Sequence, residues 1–259
     1  MTQTQKDRDA LREWAVFYES GLRRQNSDVN LTQAQIAKDR TRLEADPIEW
    51  IRFFFPEYCK FEFAEFQIKA IRRCIKHEEW FEVLSWARGL AKSTTVMFIV
   101  IYLALTKKKC NVMMASATQD SAVRLLDPYK KQLEENALIR AYYGVQVNLG
   151  NWCAEEFVAK CGCSFRAVGA GNAPRGSRNG AVRPDVLLVD DFDTDEGCRN
   201  PDTIDKNWTW WEKALYGTRD TAVKTLIVFC GNIIARDCCV VRAGHMADHW
   251  DVVNIRDEK

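Results

Sequence analysis

The stretch "WARGLAKST" at residues 86–94 sets a lysine and two hydroxyls behind a glycine-containing turn. That combination of side chains suits phosphate. The standard phosphate-binding loop reads G-x-x-x-x-G-K-S/T, and here Trp86 and Ala91 stand where both glycines belong. Such a loop needs backbone N–H groups facing an anion, a lysine for the terminal phosphates, and a magnesium-binding hydroxyl where a helix begins. Lys92 and Ser93 fill the last two roles, with Arg88, Gly89, Leu90, Ala91 and Thr94 completing the candidate ATP-binding segment. Gly89 can take an unusual φ at the crest, and Ala91 fits if its own φ is negative. Alone, the segment equally describes a strand–turn–helix with an exposed lysine.

A second stretch, "RPDVLLVDDFDTDEG" at 183–197, puts two carboxylates directly after four apolar residues. A carboxylate leaving the end of a buried strand beside a phosphate loop holds hydrated Mg²⁺, which assigns Asp190 with Ser93 as metal ligands. A second carboxylate next to it orients and activates the attacking water. Glutamate is usual there; Asp191 is one methylene shorter. Asp193, Asp195 and Glu196 are alternatives, with Glu196 favoured among them by reach. Some of these acids fit a solvated loop, but that does not explain aspartates following a buried strand. Together the two motifs predict hydrolysis of ATP with Mg²⁺.

Elements of alternating type must position these groups. Apolar strands are expected at 81–85, 111–115, 186–189 and 225–229, and 157–159 with 164–168 form a hairpin around Cys161-Gly162. The helix from 92 to 106 is apolar on nearly every side, as a helix packed on a sheet must be. A further helix follows residue 120, interrupted at Asp127-Pro128. Alternation of this kind predicts an α/β fold whose mainly parallel sheet is covered by helices on both faces. With the two motifs it is a P-loop NTPase fold of the RecA-like (ASCE) class. Residues 1–60 read as a helical, lid-type N-terminal segment with turns at Asp46-Pro47 and Phe55-Pro56, 61–235 as the ATPase core, and 236–259 as its end. The aromatic run "IEWIRFFFPEY" at 48–58 reads as a packing hook.

Composition narrows the class further. The 259 residues carry 37 basic and 36 acidic side chains, a net charge of +1, so nucleic-acid binding would rest on local patches or an assembled ring. The apolar run 96–105 is about half the roughly 20 residues that cross a bilayer, and the polar N-terminus has no signal-peptide core. An intracellular protein without a membrane partner is expected. The ten cysteines lack C-x-x-C spacing and read as reduced thiols rather than zinc ligands or disulfides.

"ARGLAKSTT", "NVMMASATQDSAVRLL", "GAGNAPRGSRNGAVRPDVLLVDD" and "TLIVFCGN" occur in this order, and over about 45–255 the chain resembles the ATPase domain of the large terminase subunit of tailed bacteriophages. The order of these motifs carries the resemblance more than any one of them. It implies a motor that moves double-stranded DNA into a procapsid, working as a homo-oligomeric ring with a portal protein and a small terminase subunit in the host cytoplasm. It implies that Gln67 contacts adenine, a role an amide suits, although an exposed helical glutamine is the plainer reading. It implies that Arg88 senses the γ-phosphate, where a structural ion pair is the alternative. Arg175 or Arg178, in the glycine-rich basic loop 171–183, would reach a neighbouring subunit's nucleotide or else DNA. Asn232 would couple hydrolysis to motion, or simply turn the chain at a strand end. The nuclease domain of a full large terminase is expected to be absent. Two rivals stand beside this reading. A superfamily 2 helicase-like remodeller would need a second RecA-like domain, and no second set of strands follows residue 235. A nucleotide-binding assembly module with little hydrolysis is motivated by the lost glycines and the missing glutamate.

Overall fold

A computed structural model describes residues 32–174, 178–220 and 222–254. The part of the expected N-terminal helical segment before residue 32 therefore lies outside the described residues. Helix α1 (Gln33–Ala45) starts at Thr32, whose hydroxyl accepts from Gln35 N while Gln35 Oε1 accepts from Thr32 N. Helix α2 (Pro47–Phe54) follows after the expected turn, with Pro47 opening it and the Asp46 carboxylate capping Ile48 N at 2.9 Å. Trp50, Phe54 and Phe55 are buried, so the aromatic run packs as the sequence predicts. Helix α3 (Glu65–Lys76) leads into the sheet.

The sheet is built from β1 (Trp80–Trp86), β2 (Asn111–Ser116), β3 (Glu156–Val158), β4 (Ser164–Gly169), β5 (Val186–Val189), β6 (Leu226–Cys230) and β7 (His249–Val253), in the order β3-β4-β2-β5-β6-β1-β7. Every pairing is parallel except that of β3 with β4, the expected hairpin. Between the strands run α4 (Lys92–Leu105), α5 (Gln119–Glu135), α6 (Ala137–Tyr143), α7 (Pro201–Trp210) and α8 (Cys239–Met246). Strand alternation divides the apolar side chains between two cores. Leu84, Val112, Met114, Leu188 and Val228 face the helices α1 to α6, while Val83, Met113, Leu187 and Phe229 face α7 and α8. Both faces are thus covered, and the mixed α/β fold with its largely parallel sheet is consistent with a RecA-like (ASCE) arrangement. Helix α4 is buried from Thr95 to Leu105, which accounts for its apolar sequence. Among the described residues no helix is long and apolar enough to cross a membrane.

One expectation needs correction here. Helix α5 is not interrupted at Asp127-Pro128 but runs through Pro128. A proline inside a helix loses one backbone bond and typically costs about 3 kcal/mol. Ala122, Leu126, Tyr129 and Leu133 lie along one face of α5 and are all buried, and that packing outweighs the lost bond. Residues 236–254, within the expected end of the core, carry α8 and β7, and β7 pairs with β1.

Candidate active site

Strands β1 and β5 are separated in the sheet by β6, so the three carry their following loops to one edge. The open ends of parallel strands, where connections diverge, are the usual place for a ligand in such sheets. A cleft of about 770 Å³ opens there, lined on one side by Arg88, Gly89, Lys92, Ser93 and Thr94. Asp191, Asp193, Asp195 and Asn232 line it from the loops after β5 and β6.

Ser93, which lines the cleft, donates from Oγ to Oδ2 of the buried Asp190 at 2.5 Å, joining the start of α4 to the end of β5. The other carboxylate oxygen of Asp190 accepts from Asp191 N at 3.0 Å. Burial pushes the Asp190 carboxyl up to about 6; the Ser93 hydroxyl opposes this, the Asp191 charge adds to it and Lys92 opposes it. Lys92 Nζ lies 3.4 Å from Asn232 Oδ1 and 3.5 Å from Trp86 O, contacts long enough for the ammonium to exchange for a stronger acceptor. Arg88 is exposed at the mouth and makes no ion pair among the described residues.

The loop's backbone departs from expectation at Ala91. Its φ is +56° and its ψ 33°, left-handed rather than negative. A residue with a Cβ pays roughly 1–2 kcal/mol for that conformation. Ala91 O accepts from both Thr95 N and Thr95 Oγ1 at 2.9 Å, which holds the turn as it enters α4. Gly89 has φ +87°, the unusual crest conformation expected of it. A Cβ there would meet nothing within 4 Å, so the backbone angle rather than space calls for glycine. Asp191 is left-handed too, at φ +46°, and its carbonyl accepts from Ser116 Oγ at 3.3 Å and Ala117 N at 3.4 Å. Strained backbone of this kind concentrates at functional sites.

The acidic run separates by geometry. Asp193 Oδ1 accepts from Cys239 N at 2.9 Å and its Oδ2 from Val240 N at 2.8 Å, so this carboxylate caps α8 from a distance. Asp195 lines the cleft beside Asp191. Glu196 is exposed, precedes a short 3₁₀ turn at Gly197–Arg199, and does not line the cleft. Gln67 does not line it either: its amide nitrogen donates to Leu90 O at 3.1 Å and its oxygen accepts from Ala64 N at 3.0 Å. Leu90 is half-buried behind the loop. Arg178 is exposed and away from the cleft lining, and Arg175 lies outside the described residues. Sequence reasoning missed Thr118 and Ser121, which bring the start of α5 to the cleft wall. The small polar run "SATQDS" after β2 was the available signal.

A separate group, Glu82, His249 and Asp251, has ligand atoms within 4.8 Å of one another between β1 and β7. Its carboxylates are already paired: Arg73 Nη2 donates to Glu82 at 2.5 Å and lies 3.3 Å from Asp251, and Trp80 Nε1 donates to Glu82 at 2.6 Å. A cation there would compete with a guanidinium, so the group reads as a buried ion-pair network.

No protein-family model matches the sequence, and no curated protein matches it. Among solved structures it is similar to the crystal structure of the HK97 bacteriophage large terminase, with a TM-score of 0.53 and 15% sequence identity. The match covers 81% of this chain and 43% of that one, so this chain spans less than half the length of the terminase it resembles. At that identity the likeness is one of fold, distant and partial.

Proposed function

We propose that this chain hydrolyses ATP as the motor domain of a viral large terminase, driving double-stranded DNA into a procapsid. The observation that carries the reading is the 2.5 Å contact between Ser93 Oγ and Asp190 Oδ2, made by two motifs almost a hundred residues apart in sequence. A buried carboxylate beside a hydroxyl is an all-oxygen donor set, which fits Mg²⁺. Ser93 and Asp190 would hold that ion, whose charge neutralises the phosphate oxygens it touches.

In this reading Lys92 and Arg88 hold the terminal phosphates, with the loop N–H groups of residues 89–94 around them. Asp191 takes a proton from water as the water oxygen attacks the γ-phosphorus, and the β–γ bridging oxygen leaves with the bond's electron pair. Asn232, already within reach of Lys92, orients the water or the γ-phosphate. Asp195, which lines the cleft, is an alternative base, and so is Glu196, which does not line it. Arg175 or Arg178 would act on a neighbouring subunit of a ring, with the portal protein and small terminase subunit as partners in the host cytoplasm.

The glutamate missing after Asp190, with the shorter Asp191 in its place, favours one rival, a nucleotide-binding assembly module with little hydrolysis. Steady-state ATPase activity against protein concentration separates the two. Turnover that rises more than linearly with concentration and vanishes in Lys92→Ala and Asp191→Asn supports the motor. Activity surviving in Lys92→Ala removes the site assignment. Loss in Glu196→Gln with Asp191→Asn active moves the base to Glu196. Tight ATP binding without turnover at any concentration favours the module.

A further inference from the structure

We propose that Gln67 is a clasp on the phosphate loop, holding the peptide before Ala91 in the orientation that a glycine would adopt freely. The proposal deepens the nucleotide-site reading by naming a positioning residue behind it, and its structural half stands without that reading.

Gln67 sits in the first turn of α3, and both ends of its amide are engaged. The oxygen accepts from Ala64 N, which caps the helix, and the nitrogen donates to Leu90 O, which belongs to the loop. Backbone N–H on one side and carbonyl on the other fix which end is which, and only an amide serves both. The carbonyl it grips precedes the left-handed residue, Ala91, at φ +56°. The carbonyl after it is held in turn by Thr95 N and Oγ1, each at 2.9 Å. The peptides flanking the one strained alanine of the loop are therefore each pinned by a side chain. A non-glycine residue stays left-handed only when its surroundings over-determine it. Released from Gln67, Ala91 would relax toward negative φ and turn the N–H groups that follow it. A base-contacting role would instead use the second amide hydrogen and the second lone pair, although Gln67 does not line the cleft.

Glutamate separates the two halves of this device. It keeps the oxygen that caps Ala64 N, as glutamate does at this helix position, but has no donor for Leu90 O. The test is a cycle of Gln67→Glu, Ala91→Gly and the double variant, read by Mg·ATP and Mg·GTP titration calorimetry and by urea unfolding of the ligand-free protein. In the native background Gln67→Glu should weaken both nucleotides at least about three- to tenfold, because it removes one hydrogen bond and sets a carboxylate oxygen against Leu90 O. With glycine at 91 the same substitution should cost less than about twofold, because nothing strained is left to hold. Equal losses in both backgrounds overturn the clasp, and a loss confined to ATP assigns Gln67 to the base. If the native protein binds neither nucleotide, the nucleotide reading fails while unfolding still decides the clasp. A urea midpoint lowered by Gln67→Glu only when residue 91 is alanine supports it, and equal shifts in both backgrounds overturn it.

Discussion

Asp191 and Asp193 stand two residues apart in one acidic run, yet their surroundings set them to different work. Asp193 gives both oxygens to the first N–H groups of α8. Both residues line the cleft, but Asp191 has a left-handed backbone and caps no helix there. Asp193→Ala should therefore destabilise the protein by about 1–2 kcal/mol, the upper range for a lost helix cap, as measured by urea unfolding. Asp191→Asn should leave stability within about 0.5 kcal/mol, since asparagine tolerates the left-handed region as well as aspartate. The same variant should abolish ATP turnover. An Asp193→Ala protein as stable as the native one would show that α8 is held by its packing alone. The sequence could place this run at the end of a strand but not sort its members, because four carboxylates within six residues look alike until a fold supplies partners.

Elements were legible where periodicity spoke and illegible where one residue type outvoted it. The buried strands and the all-apolar α4 follow from runs that no exposed segment would carry. Pro128 misled because a proline normally ends a helix, although Ala122, Leu126, Tyr129 and Leu133 continue across it at helical spacing on one buried face. Strand β7 was missed because its residues are only half-buried or exposed and alternate weakly. Ala91 was misjudged for a related reason: the tether that keeps it left-handed comes from α3, more than twenty residues upstream. Because Pro128 is exposed, Pro128→Ala restores a backbone bond without disturbing packing. It should stabilise the protein by about 1–3 kcal/mol, raising the thermal midpoint. An unchanged midpoint would mean that the helix has already adapted to the gap. Gly169 tests the opposite end of α5. A Cβ on it would fall 2.3 Å from Gln119 N, so β4 and the start of α5 touch backbone to backbone. Gly169→Ala should cost about 1–3 kcal/mol and weaken nucleotide binding as well, because Thr118 and Ser121 at that helix start line the cleft. Destabilisation with unchanged nucleotide affinity would separate α5 from the site.

At the scale of the molecule, the question is whether the N-terminal helices unfold as a unit of their own or as part of the sheet's core. The sequence reading divides the chain at about residue 60, after the charged helical segment and the turn at Phe55-Pro56. Packing crosses that line. Trp50 is fully buried, its ring meets Tyr102 of α4 edge-on at 5.1 Å, and its Nε1 donates to Tyr143 OH at 2.8 Å. Tyr143 OH donates in turn to Glu44 Oε1 at 2.8 Å, and Tyr102 OH to Glu44 O at 2.7 Å, closing a circuit from α1 through α2 to α4 and α6. Leu43, Ile48 and Ile51 belong to the same hydrophobic cluster as the sheet residues Leu84, Met114 and Val228. A segment whose apolar surface is continuous with the main core cannot leave without exposing that core, so the two should melt together. Trp50→Ala should cost about 3–5 kcal/mol, as for a large aromatic removed from a packed interior. Tryptophan fluorescence and far-ultraviolet circular dichroism should still report one coincident unfolding transition, shifted to lower urea. Two separated transitions, with the proposed nucleotide affinity of the cleft surviving the first, would instead establish residues 33–54 as an independent unit that rests on the sheet without supporting it.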